Sequence, residues 1–149
     1  MNEEEYEDRA QLYLAELATL NSWIRRQVNK VPPQQRQLIT SHDAFNYFCN
    51  EYKFTASAPA GWSTGDEIGG GFTAERRRQA VNSIRDFGIK AIFVETSVNP
   101  DMIQQIAKDA GVRIGGTLYS DSMGAPGTAG ETYIEMMREN VLTIVNGLK

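Results

Sequence analysis

Hydrophobic side chains recur at helical spacing through the first thirty residues. Two groups follow the helical period, one in residues 3–20 and one in residues 20–31, separated by the polar pair Asn21-Ser22. We therefore expect a helix over about residues 3–20 and a second helix to about residue 30. Pro32-Pro33 stops it, because proline lacks the amide hydrogen that a helix interior needs.

Beyond residue 36, short apolar runs alternate with helical patterns. The predicted strands cover residues 37–41, 54–62, 91–95 and 112–119, the second being short or bulged because of Pro59. Four predicted helices follow these strands. The first ends at about Tyr52 and the second covers residues 73–87. The third runs from Asn99-Pro100 to Gly111, and the last begins after a capping box of Thr128 and Glu131. Strands that alternate with helices favour a parallel sheet. We predict an α/β domain with three layers and a parallel sheet of about four strands.

The composition excludes several classes of protein. A chain of 149 residues with 41% hydrophobic residues is one soluble globular domain, and a net charge of -4 argues against nucleic acid as a partner. The basic run Arg76-Arg77-Arg78 is expected to form a solvated helix face. No apolar run approaches the roughly 20 residues of a membrane span. The acidic N-terminal segment is unlike a signal peptide, so we expect no export signal in this chain.

Two other features are interpreted as structural. Residues 63–71 are rich in glycine and precede a helix, but they lack the Gly-Lys-Ser/Thr ending of a phosphate loop and carry Asp66 and Glu67, which repel phosphate. We expect a mobile loop there. Cys49 is the single cysteine, four residues after Phe45 on a predicted helix, which indicates a buried thiol and not a nucleophile.

Ionisable side chains follow three of the predicted strands. His42, the only histidine, follows the first strand, Glu95 ends the third and Asp121 follows the fourth. The carboxyl ends of parallel strands share one edge of a sheet, so these side chains can converge. One imidazole and two carboxylates suit Zn²⁺ or Mn²⁺. The alternative is a solvated histidine with two carboxylates that cap helices.

Four segments together resemble a known family. They are Ser41-His42-Asp43-Ala44-Phe45 with Tyr47-Phe48, Phe93 to Pro100, Gly116 to Ser122, and Tyr133 with Met136 to Asn140. In this order they closely resemble the zinc and manganese solute receptors of bacterial ABC importers, known as cluster A-I. The resemblance covers nearly the whole chain and implies the C-terminal lobe alone, with residues 1–20 as the end of the helix that links two lobes and residues 21–149 as the lobe.

The resemblance also implies a function. The ligands that the family places in this lobe map onto His42 and Asp121, and a histidine at the first position leans toward zinc. Glu95 matches a position near the cleft that is not normally a ligand, so we expect it to orient His42 or a nearby backbone group. The implied function is binding of Zn²⁺ or Mn²⁺ for an ABC permease, without catalysis, in the periplasm or at the cell surface.

The resemblance implies that this chain supplies only part of the ligand set of the family. The two histidines that the other lobe supplies in the family have no counterpart here, so we expect weak binding, or an ion shared in a homodimer that pairs through the face turned toward that lobe. One alternative is a metal-assisted hydrolase with Glu95 as the base. Another is a structural fragment whose site no longer works.

Overall fold

The computed structural model describes residues 3–40, 44–57, 73–97 and 100–149, apart from the side chains of Ser57 and Arg76. The helices are α1 (Glu3–Val28), α2 (Asn46–Tyr52), α3 (Ala74–Asp86), α4 (Pro100–Ala110) and α5 (Tyr133–Leu148). The strands are β1 (Gln37–Ile39), β2 (Thr55–Ser57), β3 (Ala91–Glu95) and β4 (Arg113–Leu118), and a 3-10 turn covers Pro33–Gln35. The predicted glycine-rich loop, residues 63–71, lies outside the described residues.

Helix α1 is continuous, so the predicted break between two helices at Asn21-Ser22 is wrong. Both polar side chains find partners that leave the helical backbone intact. The Ser22 hydroxyl donates to the carbonyl of Ala18 at 3.0 Å, and the Asn21 Oδ1 accepts a hydrogen bond from the Tyr52 hydroxyl at 3.0 Å. Polar residues that bond in this way do not terminate a helix. Asn21 therefore ties α1 to α2.

The strands pair in parallel, as predicted. β1 pairs with β2, and β3 pairs with β4. Among the described residues the strand hydrogen bonds form two two-stranded sheets, with β1 packed beside β3. The second strand covers residues 55–57 of the predicted range, and residues 58–62 lie outside the described part of the chain.

β3 is buried along its whole length between two layers of helices. Alternate side chains point to opposite faces of a strand, so Phe93 packs toward α1 and α5 while Ile92 packs toward α3 and α4. β1 divides in the same way, with Leu38 in the first core and Ile39 in the second. The predicted three-layer α/β arrangement is therefore the one observed.

Small residues beside Phe93 allow β4 and α5 to approach its ring. A Cβ on Gly115 would lie 2.5 Å from Cε1 of Phe93, and a Cβ on Gly147 would lie 2.7 Å from the same atom. Both distances are far below van der Waals contact. The pairing of β3 with β4 also shifts register here, from Ile92 opposite Ile114 to Phe93 opposite Gly116. Larger side chains at Gly115 and Gly147 would separate the layers.

Arg77 links two helices, which corrects the prediction that the whole arginine run forms a solvated face. Its Nε donates to Oδ2 of Asp109 on α4 at 2.6 Å, and its Nη1 donates to Oε1 of Gln105 at 3.1 Å. Arg78 instead pairs with Glu75 on its own helix at 2.6 Å. The packing of α3 on α4 places the Asp109 carboxylate beside Arg77.

The capping box of α5 lies four residues later than predicted. The Thr132 side chain accepts from the amide of Glu135, and the Glu135 carboxylate accepts from the amide of Thr132. Thr128 and Glu131 have the same spacing but form a turn, because the Thr128 hydroxyl donates to Ala125 and the Glu131 carboxylate accepts from the amide of Gly127. Two consecutive matches to the motif, residues 128–131 and residues 132–135, made the position of the cap ambiguous in the sequence.

Cys49 is buried on α2, as predicted, with 2% of its surface exposed. Burial raises the pKa of the Cys49 thiol from 9.0 to about 11, because the thiolate would lose its hydration. Burial also raises the pKa of Tyr52 on the same helix, and the neighbouring Glu51 carboxylate raises it further. Among the described helices, none is both long and apolar enough to cross a bilayer.

Thr132→Ala is expected to destabilise the protein by about 1 kcal/mol, because the first turn of α5 loses its cap. The melting temperature should fall by about 2–4 °C for a chain of this size. Thr128→Ala is the matched control and should cost less than about 0.5 kcal/mol, since it removes only a turn contact. Thermal unfolding followed by circular dichroism measures both, and equal effects would contradict the cap assignment.

Ionisation of Cys49 should favour unfolding in alkaline solution. Below pH 9 the thiol is neutral in both states and its contribution to stability is complete. Between pH 9 and about 11 the unfolded thiol ionises first, so that contribution is lost as the pH rises. Urea unfolding of the protein and of Cys49→Ala should give a stability difference that changes over this interval in favour of the variant. A difference independent of pH would contradict the burial.

Candidate metal site

The buried polar side chains of the described residues all lie at the carboxyl ends of strands. They are Thr40, Glu95 and Asn140, with exposed fractions of 7%, 1% and 2%. Thr40 directly follows β1, Glu95 is the last residue of β3, and Asn140 contacts the residue that follows β4. Polar groups are costly to bury in a core. Their position at the carboxyl ends of the strands therefore indicates a ligand-binding site at these ends, as in other α/β folds.

Asn140 fixes the backbone that follows β4. Its Nδ2 donates to the carbonyl of Tyr119 at 2.8 Å, and its Oδ1 accepts from the amide of the same residue at 2.9 Å. One buried side chain therefore satisfies both backbone groups of Tyr119, which would otherwise continue the strand. This arrangement ends β4 and turns the chain toward Asp121, two residues later.

A second pair of contacts joins the ends of β3 and β4. The amide of Thr96 donates to the carbonyl of Leu118 at 2.9 Å, which extends the strand pairing by one bond. The hydroxyls of Ser97 and Ser120 lie 2.8 Å apart and share a hydrogen bond. Together with the bonds of Asn140 to Tyr119, these contacts hold the three residues before Asp121, Leu118 to Ser120. Asp121 itself is exposed at the rim.

A cavity of about 340 Å³ opens beside this rim. Ala44, the first described residue after the His42 segment, lines it, and so does Ser120, the residue before Asp121. The other walls are mainly aromatic and methionine side chains, namely Phe45, Tyr47, Phe48, Tyr52, Tyr119, Tyr133, Met136 and Met137. The chain therefore brings the neighbours of two predicted ligands, 76 positions apart in sequence, to one cavity.

The predicted site residues have different outcomes. His42 lies outside the described residues, so its pairing with Asp121 stays a prediction. Asp121 is exposed, as a ligand open to an ion must be, whereas Glu95 is buried beneath the rim. Within the described ranges, no group of three or more histidine, cysteine, aspartate or glutamate side chains could hold a metal ion. A complete ligand set is therefore not formed by the described residues alone.

Sequence reasoning did not assign a role to Asn140. A signal was present, because Asn140 is a polar residue within the apolar stripe of the last predicted helix, between Met136 and Ile144. A polar side chain on a buried face needs a partner in the core. What the sequence does not reveal is that the partner is the backbone of Tyr119, since that contact depends on how α5 packs on β4.

Comparisons with known proteins agree with this fold. The model of a family described as ZnuA, zinc-uptake complex component A, periplasmic, matches residues 1–147. The manganese-binding lipoprotein MntA of Bacillus subtilis is 39% identical over 149 residues, which cover 97% of this chain and 47% of that protein. The zinc-binding protein TroA of Treponema pallidum is 35% identical over 149 residues, with the same two shares covered.

Solved structures give the same result. The periplasmic zinc-binding protein TroA of Treponema pallidum superposes with a TM-score of 0.85 at 31% identity, covering 97% of this chain and 53% of that chain. The Mn-bound periplasmic metal-binding protein of Candidatus Liberibacter asiaticus has a TM-score of 0.81 at 26% identity, covering 98% and 52%. The chain spans about half the length of the relatives it matches.

Proposed function

This chain belongs to the ZnuA family of periplasmic zinc-uptake components, and we propose that it is a metal-ion binding module that supplies Zn²⁺ or Mn²⁺ to an ABC permease. In this proposal it corresponds to the C-terminal lobe of a two-lobe receptor, with residues 1–20 in the linking helix and residues 21–149 in the lobe. The relatives are named as zinc-binding and manganese-binding proteins, which supports both ions as cargo. Their names also support a periplasmic or cell-surface location.

One observation carries the proposal. Ala44, two residues after His42 in the sequence, and Ser120, the residue before Asp121, line the same cavity. An imidazole nitrogen and a carboxylate oxygen are ligands that both Zn²⁺ and Mn²⁺ accept. We propose that His42 and Asp121 bind the ion directly.

The buried residues behind the rim support these ligands. Asn140 fixes the backbone of Tyr119, so the position of Asp121 is restricted before any ion arrives. We propose that Glu95 orients His42 or a neighbouring backbone group from beneath. Glu95 is buried at the end of β3, and carboxylates behind the ligands of metal sites often orient those ligands through hydrogen bonds. A restricted ligand loses less conformational entropy when the ion binds.

Two protein ligands are too few for tight binding. Zinc sites in proteins usually have three or four protein ligands, and water fills the positions that remain. This sequence has one histidine. We therefore propose that the chain alone binds an ion with an affinity orders of magnitude below that of a four-ligand site, or that two chains share an ion.

Release without catalysis follows from the same residues. The family is described as one of zinc uptake and the relatives reported above are named as metal-binding proteins, which favours ion binding over a metal-assisted hydrolase. A hydrolase would also need a general base open to a bound water, but Glu95 has 1% of its surface exposed. An exposed rim with few ligands is suited to the transfer of an ion.

Isothermal titration calorimetry with Zn²⁺ and with Mn²⁺ tests the ligands. The wild-type chain should bind one Zn²⁺ weakly, and His42→Ala and Asp121→Ala should each reduce the affinity at least tenfold, since each removes one of two protein ligands. Asp86→Ala is the matched control. It removes an exposed carboxylate that precedes the amino end of β3, away from the rim, and should leave the affinity unchanged.

Three results would contradict the proposal. Tight Zn²⁺ binding that neither His42→Ala nor Asp121→Ala weakens would place the ion elsewhere. Equal losses in Asp86→Ala and Asp121→Ala would indicate nonspecific attraction to a chain of negative net charge. No saturable binding of either ion at any concentration would mean that the site does not work in this chain.

A further inference from the structure

Asp121 is the first residue of a loop between β4 and α5 that we call the Asp121 loop, residues 121–131. Gly130 is buried, Gly124 is half-buried, and every other residue of this loop is exposed. Both covered residues are therefore glycines, which have no side chain of their own to bury. Whatever covers them must come close to the backbone of the loop.

The ring of Tyr119 covers both glycines. A Cβ on Gly130 would lie 2.7 Å from Cε2 and from Cζ of Tyr119, and a Cβ on Gly124 would lie 3.0 Å from Cε1 of the same ring. These distances are below the 3.5–4.0 Å at which two carbon atoms are in favourable contact. The Asp121 loop thus packs on the Tyr119 ring with its bare backbone, and a side chain at Gly130 would separate the two.

The Asp121 loop is also closed by its own hydrogen bonds. The amide of Gly124 donates to the carbonyl of Gly130 at 2.8 Å, and the amide of Thr128 donates to the carbonyl of Ala125 at 3.1 Å. The first bond joins the two residues that pack on Tyr119. Compact surface loops whose ends meet in this way keep a defined shape without regular secondary structure.

Tyr119 has no comparable role in the protein core. It is half-buried, and it belongs to neither of the two hydrophobic cores that the described residues form. It lines the cavity beside the rim instead. The ring therefore packs where Asp121 is held, and its contacts with Gly124 and Gly130 are the packing that this position provides.

Two constraints meet at Tyr119. The bonds of Asn140 fix its backbone, and they act only on the chain before Asp121. The ring acts on the chain after Asp121, because the loop packs on it. A ligand restricted from both sides loses less conformational entropy when an ion binds. We infer that Tyr119 positions Asp121 for ion binding through its ring, an inference that rests on the proposed role of Asp121 as a ligand.

Hydrogen exchange of the metal-free chain, followed residue by residue by nuclear magnetic resonance, tests whether the ring holds the loop. In the wild type the Gly124 amide should be protected by its bond to Gly130. Tyr119→Ala should speed the exchange of this amide roughly tenfold or more, whereas Tyr119→Phe keeps the ring and should leave it unchanged. The Val112 amide, which donates to Ala107 at the end of α4, is the internal reference and should not change.

Titration calorimetry with Zn²⁺ tests whether the loop positions the ligand. Tyr119→Ala should weaken binding roughly tenfold, the effect of removing a residue that orients a metal ligand, and Tyr119→Phe should bind as the wild type does. Gly130→Ala should also weaken binding, because its Cβ would displace the ring. Gly111→Ala is the matched control. Gly111 has a φ of +73° and precedes the amino end of β4, away from the rim, so this change should lower the melting temperature and leave the affinity unchanged.

A double variant separates positioning from a general loss of structure. In the Asp121→Ala background, Tyr119→Ala should cause no further loss of Zn²⁺ affinity, because the carboxylate that the ring positions is gone. A change that only loosened the fold would weaken binding by the same factor in both backgrounds. Circular dichroism checks that each variant retains its helices.

Three results would overturn the positioning role of Tyr119. They are a Gly124 amide that exchanges equally in the wild type and in Tyr119→Ala, a wild-type Zn²⁺ affinity in Tyr119→Ala, and an equal loss of affinity in the Asp121→Ala background. A wild-type chain that binds no ion would contradict the proposed function and this role together. Binding that Tyr119→Ala leaves intact would contradict this role alone.

Discussion

β3 is buried on both faces, and this burial determines how the strands and helices around it are arranged. Ile92 and Val94 face one helical layer and Phe93 faces the other, so the strand cannot shift by one residue without placing each side chain in the wrong core. That fixed register determines where the strand ends. Glu95 is therefore held beneath the rim, and Ser97 can reach Ser120 across the paired strand. The candidate site takes its geometry from the core.

Much of the fold follows from local signals. The continuous apolar run of β3 and the helix of Pro100–Ala110 were predictable because burial on both faces and proline at the first helical turn leave clear patterns. The predicted helix break at Asn21 failed because its partner, Tyr52, is distant in sequence. Arg77 was misassigned for the same reason, since Asp109 lies on another helix. Contacts between elements are what a single sequence conceals.

At the candidate site, too, local signals were predictable from the sequence and contacts between elements were not. Asp121 and Glu95 could be selected from the sequence because they stand at the ends of strands, and the family resemblance gave them different roles. Asp121 is exposed at the rim and Glu95 is buried, and both roles stay predictions. The bonds of Asn140 to the backbone of Tyr119 were not predictable, because they arise from the packing of α5 on β4. The aromatic wall of the cavity was not predictable either, because residues of α2, α5 and the segment after β4 form it together.

We propose that His42 and Asp121 bind one ion at this rim. A crystal structure of the chain soaked in Zn²⁺, with anomalous diffraction recorded at the zinc edge, would locate the ion. We expect a peak about 2.1 Å from an imidazole nitrogen of His42 and from a carboxylate oxygen of Asp121, with water in the other positions. A peak bound to other residues, with His42 and Asp121 far apart, would exclude this site.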